Sequence, residues 1–111
     1  MEQKEETVVL CGANSYEEKY YLNPKFGNLP NQIKDELKVM CVLYTNDVGG
    51  ILLLEFDSEG YLHFRTEAVE SDTTYDEIGA VLKIKELQRS EEELLRSLEM
   101  YYRVLLANGL G

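Results

Sequence analysis

The chain carries one histidine, His63, and two cysteines, Cys11 and Cys41, so acyl-transfer or thiol chemistry would have to draw on these three residues. His63 sits in a strand-like run with neither cysteine near it in sequence. A catalytic triad needs nucleophile, base and orienting group together, and nothing in this spacing sets one up. We therefore read His63 as a surface histidine whose expected cross-strand neighbour, Glu55, favours the charged imidazolium. Glu55, Asp57, Glu59 and Gly60 imitate the start of an EF-hand calcium loop, but the closing position is Thr66 rather than a bidentate glutamate, and the flanks are strands. Two cysteines and one histidine without paired spacing make no tetrahedral zinc set. Gly49-Gly50 lacks a following Lys-Ser/Thr, so it is no phosphate loop. Glu70, Asp72, Asp76 and Glu77 read as solvated loop and helix-start charges rather than an acid/base pair. No catalytic, cofactor-binding or metal-ligating residue is assigned, and we expect a non-enzyme that uses no cofactor.

The elements that would position any site follow from composition and periodicity. At 111 residues, with 44% hydrophobic residues, the chain suits one domain spanning 1–111 with a packed core. Acidic residues outnumber basic ones 21 to 11, giving a net charge of −10. Such a field repels phosphate backbones and anionic headgroups, so nucleic acid and membrane surfaces are disfavoured while a basic protein or peptide is attracted. Cys11 and Cys41 lie in the apolar runs Val8-Val9-Leu10-Cys11 and Val39-Met40-Cys41-Val42 and read as small buried hydrophobes. The leader Met1-Glu2-Gln3-Lys4-Glu5-Glu6 has no signal-peptide apolar stretch, which leads us to expect a cytoplasmic protein with reduced thiols.

Thr7 to Cys11 is β-branched and apolar, a strand ending at Gly12-Ala13-Asn14. Ser15-Tyr16-Glu17-Glu18 has a capping-box pattern and predicts a short helix before Pro24. After a Pro- and Gly-containing loop, Ile33, Leu37, Met40, Cys41 and Tyr44 share one face of a helix over 31–47, which Gly49-Gly50 stops. Val39, Val42 and Leu43 add apolar bulk and predict burial nearly all round in its second half. The runs 51–56 and 61–67 form a hairpin, because Asp57-Ser58-Glu59-Gly60 suits a type I turn with a glycine bulge. That turn places Phe56 near Leu62, Leu54 near Phe64 and Leu52 near Thr66 on the core face. Ile51, Leu53, Glu55, Tyr61, His63, Arg65 and Glu67 then occupy the opposite face. After an acidic loop, residues 76–107 read as one helix interrupted in its seam by Glu91, or as two, about 76–88 and 91–107, with Ser90 capping the second. Glu92 with Arg96 and Glu99 with Arg103 are expected i, i+4 ion pairs. Of the eight tyrosines, Tyr101 and Tyr102 fit the apolar stripe of the core, while Tyr16, Tyr20 and Tyr21 cluster in one half-buried segment.

The run Leu10-Cys11-Gly12-Ala13-Asn14-Ser15-Tyr16-Glu17-Glu18-Lys19-Tyr20-Tyr21-Leu22-Asn23-Pro24, with Val48-Gly49-Gly50-Ile51-Leu52 and Ser97-Leu98-Glu99-Met100-Tyr101-Tyr102-Arg103, resembles a known family. It is a family of short uncharacterised proteins from anaerobic Gram-positive bacteria, classed as a domain of unknown function. The resemblance runs from about Val8 to Leu105. It implies a bacterial, cytoplasmic origin and carries no activity, cofactor or functional residue.

The expected fold is α+β: a small antiparallel sheet centred on the 51–67 hairpin, extended by the 7–11 strand and packed by the 31–47 helix and the 76–107 helix or helix pair. The outer face of the hairpin is the expected partner surface, with Ile51 and Leu53 as apolar anchors beside Glu55, Tyr61, His63 and Arg65. Its cover would be the segment from Tyr16 to Leu22 folded back, an unknown protein partner, or a second copy. A non-enzymatic interaction, adaptor or chaperone-like role follows, with a small-molecule-binding regulatory domain as the second reading and a weak hydrolase as the third. Thiol titration should find both cysteines only after denaturation; rapid labelling of either in the native protein would refute their burial.

Overall fold

The computed structural model describes residues 6–109. Four strands and three helices follow in chain order: β1 (Val8–Asn14), β2 (Lys19–Leu22), α1 (Asn31–Val48), β3 (Ile51–Phe56), β4 (Leu62–Glu67), α2 (Glu77–Ser90) and α3 (Glu92–Ala107), with a single 3-10 turn at Pro24–Phe26. The strands form one antiparallel sheet in the order β2-β1-β3-β4. Both β2 and β3 run antiparallel to β1, so α1 is a crossover between two parallel strands with β1 lying between them. The helices cover one face of this sheet, giving the two-layer α+β architecture that the sequence predicts.

The hairpin of β3 and β4 has the expected register, pairing Phe56 with Leu62, Leu54 with Phe64 and Leu52 with Thr66. Its turn is built from a carboxylate. Asp57 Oδ1 accepts from the amides of Glu59 and Tyr61 at 2.9 Å each, and Gly60 takes the left-handed φ of 90° that closes the bulge. Leu52, Leu54 and Phe56 point into the core, while Thr66 stands exposed near the strand's end.

Residues 15–22 do not form the expected helix. The Asn14 side chain accepts from the amides of Tyr16 and Glu17, making a turn that feeds Lys19–Leu22 into the sheet edge beside β1. Strand pairing gives four residues backbone partners that a helix stopped by Pro24 would have left at its ends. β1 also runs beyond Cys11 to Asn14, because β2 and β3 pair with it on both sides there.

The C-terminal run is a helix pair, broken at Glu91, the residue that interrupts the apolar seam. Ser90 is the last residue of α2 and caps nothing, whereas Asp76 caps α2 by accepting from Gly79 N at 2.9 Å. Glu92 and Arg96 pair as expected, at 3.7 Å. Glu99 does not pair with Arg103: its Oε2 accepts from Leu62 N at 2.7 Å, tying α3 to the edge strand β4. Arg103 instead lies over the Tyr61 ring, 4.5 Å from its centroid.

The core is centred on three aromatic rings, Phe26 from the 3-10 turn, Phe56 from β3 and Tyr102 from α3. Phe56 and Tyr102 stack at 4.2 Å, and Phe26 leans on both at 5.7 and 6.0 Å. Leu10, Leu37, Leu94 and Leu98 pack around them, whereas Leu95, Tyr101 and Leu105 are half-buried. Cys11 and Cys41 are free, fully buried thiols 3.8 Å apart. The contact with Cys11, and then burial, push the Cys41 thiol above its ordinary range. Among the described residues the hydroxyls of Tyr20 and Tyr44 find no hydrogen-bond partner in their buried positions, and burial pushes both phenols up.

Leu98 is nearly fully buried in this cluster, so Leu98→Ala should cost about 2–5 kcal/mol in denaturant melts. A loss below about 1 kcal/mol would place α3 on the sheet as a loosely attached element.

Candidate protein-interaction surface

The sheet's outer face can be read from its pairing. One row runs Lys19, Asn14, Ile51, Glu67; the next runs Tyr21, Gly12, Leu53, Arg65; a third holds Val9, Glu55 and His63. The helices pack on the opposite face, so none of them covers these rows. The segment from Tyr16 to Leu22, expected as a lid, is partly turn and partly the sheet's own edge strand, and from the turn the Tyr16 hydroxyl reaches the loop after β4, donating to Asp72 Oδ2 at 2.6 Å and accepting from Val69 N at 3.1 Å. Ile51 and Leu53 are half-buried nonetheless. Leu53 lies across Gly12, where a Cβ would sit 2.6 Å from Leu53 Cδ2 and 2.7 Å from the Leu52 carbonyl oxygen.

The six residues singled out in the sequence do not make one patch. Ile51 and Leu53 stand at one end of the hairpin, whereas Tyr61 lies at the turn and faces Arg103. Between them is a charge network. Arg65 bridges Glu55 at 3.2 Å and Glu67 at 3.4 Å. His63 pairs opposite Glu55 in the register, yet its ring contacts Asp57, with Nε2 2.7 Å from Oδ2. An ionised carboxylate only accepts, so Nε2 is the protonated nitrogen that donates. The expected Glu55 partnership fails because Arg65 already occupies that carboxylate.

The His63–Asp57 pair is turn architecture rather than a catalytic dyad, since the same carboxylate holds two turn amides. The hydrogen bond from His63, and then those from the Tyr61 and Glu59 amides, hold the Asp57 carboxyl below the ordinary carboxylate range. Among the described residues, no three His, Cys, Asp or Glu side chains come together to hold a metal ion, and no helix is long and apolar enough to cross a membrane.

A second surface lies between α1 and α2. The second half of α1 is not buried all round as its sequence suggests: Val39 is 56% exposed and Leu43 53%. Both line an open groove of about 610 Å³ between the helices. The α1 side is the stripe Gln32, Asp35, Glu36, Val39, Met40 and Leu43; the α2 side is Lys83, Leu87 and Glu91. Lys83 bridges Asp47 at the C-terminal end of α1, and Glu91 shares the other end with Glu36. The two helices therefore run antiparallel, joined at one end and open along the rest. Sequence patterning identified Val39 and Leu43 as apolar but could not show that α2 stops short of covering them.

A protein-family model matches residues 7–109. The chain belongs to this family of unknown function, DUF6145. No curated protein and no solved structure matches the chain. The DUF6145 match spans every strand and helix, so both surfaces lie within the family's extent.

The lowered Asp57 value fixes the sign of a pH effect. A carboxyl whose folded value lies below its unfolded one contributes stability that is complete above the unfolded value and lost as pH falls through the folded one. Asp57→Ala should cost about 2 kcal/mol near neutrality, since it removes an acceptor that serves three donors. In urea melts across pH, the gap between wild type and variant should narrow progressively as pH falls below about 4. A gap constant down to pH 2 would show that the carboxylate's charge contributes nothing.

Proposed function

We propose that this protein is a non-enzymatic, cytoplasmic interaction module, an adaptor or chaperone-like subunit, that binds another protein in the α1–α2 groove. One observation carries this reading: Val39 and Leu43 stand more than half exposed in a groove floored by Met40 and Leu87. A soluble domain has no folding reason to leave large aliphatic side chains grouped in a concavity, and apolar floors with charged rims are typical of protein interfaces. The groove favours this over a small-molecule regulatory domain because it is open along its length, whereas small-ligand sites enclose most of the ligand and aim several polar groups at it. The outer sheet face has weaker support, because its aliphatic residues Ile51 and Leu53 are half-buried and stand beside a charge network that pairs within itself.

Leu43→Asp tests the groove and Leu53→Asp tests the sheet face, using affinity capture from an extract of the producing cells and thermal melts of each variant. The expected outcome is a specific partner retained by the wild type and by Leu53→Asp but lost on Leu43→Asp, whose melting temperature is unchanged. A partner lost only on Leu53→Asp would move the site to the sheet. If Leu43→Asp unfolds the protein, the groove is core and the reading fails.

A further inference from the structure

We infer that the occupant of the α1–α2 groove is an amphipathic helix of another protein whose apolar face ends in a cluster of basic residues. This rests on the interaction role proposed above and adds the chemistry of the partner.

The groove's shape selects a helix. It lies between two antiparallel helices, and a third helix fits such a furrow by setting its side-chain ridge between theirs. From Gln32 to Leu43 the α1 stripe is about 17 Å long at 1.5 Å per residue, which matches roughly three turns of partner helix. Along that length the chemistry changes. Val39, Met40, Leu43 and Leu87 form an apolar half. Asp35, Glu36 and Glu91 form an acidic half, beyond which Glu93 also borders a hollow with Arg89 and Arg96.

Charge then selects the sign of the partner. Among the described residues the one cation of the groove, Lys83, is already engaged by Asp47 at 3.5 Å and Glu86 at 3.8 Å. Among the described residues Asp35, Glu36, Glu91 and Glu93 take part in no salt bridge. Helix packing over these carboxylates would desolvate them, which is unfavourable unless the incoming side chains are cationic. A second copy of the chain is a poor occupant, since it brings the same net charge of −10.

The test uses three synthetic peptides and fluorescence anisotropy at physiological salt. The first is an amphipathic helix with leucines at i, i+3, i+4 and i+7 and lysines at one end. The second carries glutamates in place of the lysines, and the third is the first in scrambled order. The first should bind, and the other two should bind roughly tenfold or more weakly. Leu43→Asp should weaken the first peptide by a similar factor even though it makes the protein more negative, which separates groove binding from general attraction to an acidic chain. The double variant Glu36→Lys, Glu91→Lys should also weaken it, with the far-ultraviolet circular dichroism unchanged. Binding of the acidic or scrambled peptide equal to that of the first, or no effect of Leu43→Asp, overturns the proposal. If a partner captured from cells still depends on Leu43 in that case, the occupant is wrong and the interaction role stands; if Leu43→Asp changes neither readout, both fail.

Discussion

Burial of the Phe26, Phe56 and Tyr102 rings against one another is the constraint on which the other packing depends. The three come from a 3-10 turn, an inner strand and the last helix, so no local interaction could hold them at ring-stacking distance. Their contact draws α3 across the sheet, and that places Glu99 beside the exposed amide of Leu62 at the β4 edge. An unpaired edge amide is a standing invitation to another strand, and the glutamate removes it. The same docking brings Arg103 over Tyr61 and its Nε to the Glu59 carbonyl, closing the hairpin turn from the side.

With α3 held by aromatic packing and α1 by the sheet, α2 is left as the least anchored of the helices. Ala80 is its only buried residue among those described, and Ile84 and Leu87 are only half covered. An Asp76 cap closes its own first turn, and its ties to the other helices include a lysine bridge to Asp47 and the Glu91 break into α3. A helix tied to its neighbour by one bridge and only partly packed beyond it leaves a furrow alongside. The groove is thus a consequence of where the core's strongest contacts lie.

Much of this was legible in the sequence wherever local chemistry and global packing agreed. The 51–67 hairpin could be registered residue by residue because Asp57 and Gly60 specify a turn whose geometry leaves one pairing. The 31–47 helix followed from apolar periodicity, whereas the interruption at Glu91 left one helix and a helix pair both open. Legibility failed where a local pattern met a long-range partner. The capping-box pattern at Ser15 lost to pairing with β1, which the run from 15 to 22 does not reveal by itself. Glu55 and His63 were correctly placed opposite each other, but side chains choose partners by reach and competition, and Arg65 and Asp57 intervened. For the candidate site, the apolar character of Val39 and Leu43 was visible and their exposure was not, since exposure depends on how far α2 lies from α1.

The contact between Gly12 and Leu53 bears on how this chain can vary. Position 12 lies on the sheet face away from the helices, where Leu53 buries it. Any side chain there meets a backbone carbonyl of the neighbouring strand as well as a leucine methyl, and the carbonyl cannot swing aside. A larger residue would have to part β1 from β3, the central pair on which both outer strands are built. Low mutational tolerance in this protein therefore extends to the sheet face that carries no helix, at a position buried under one leucine.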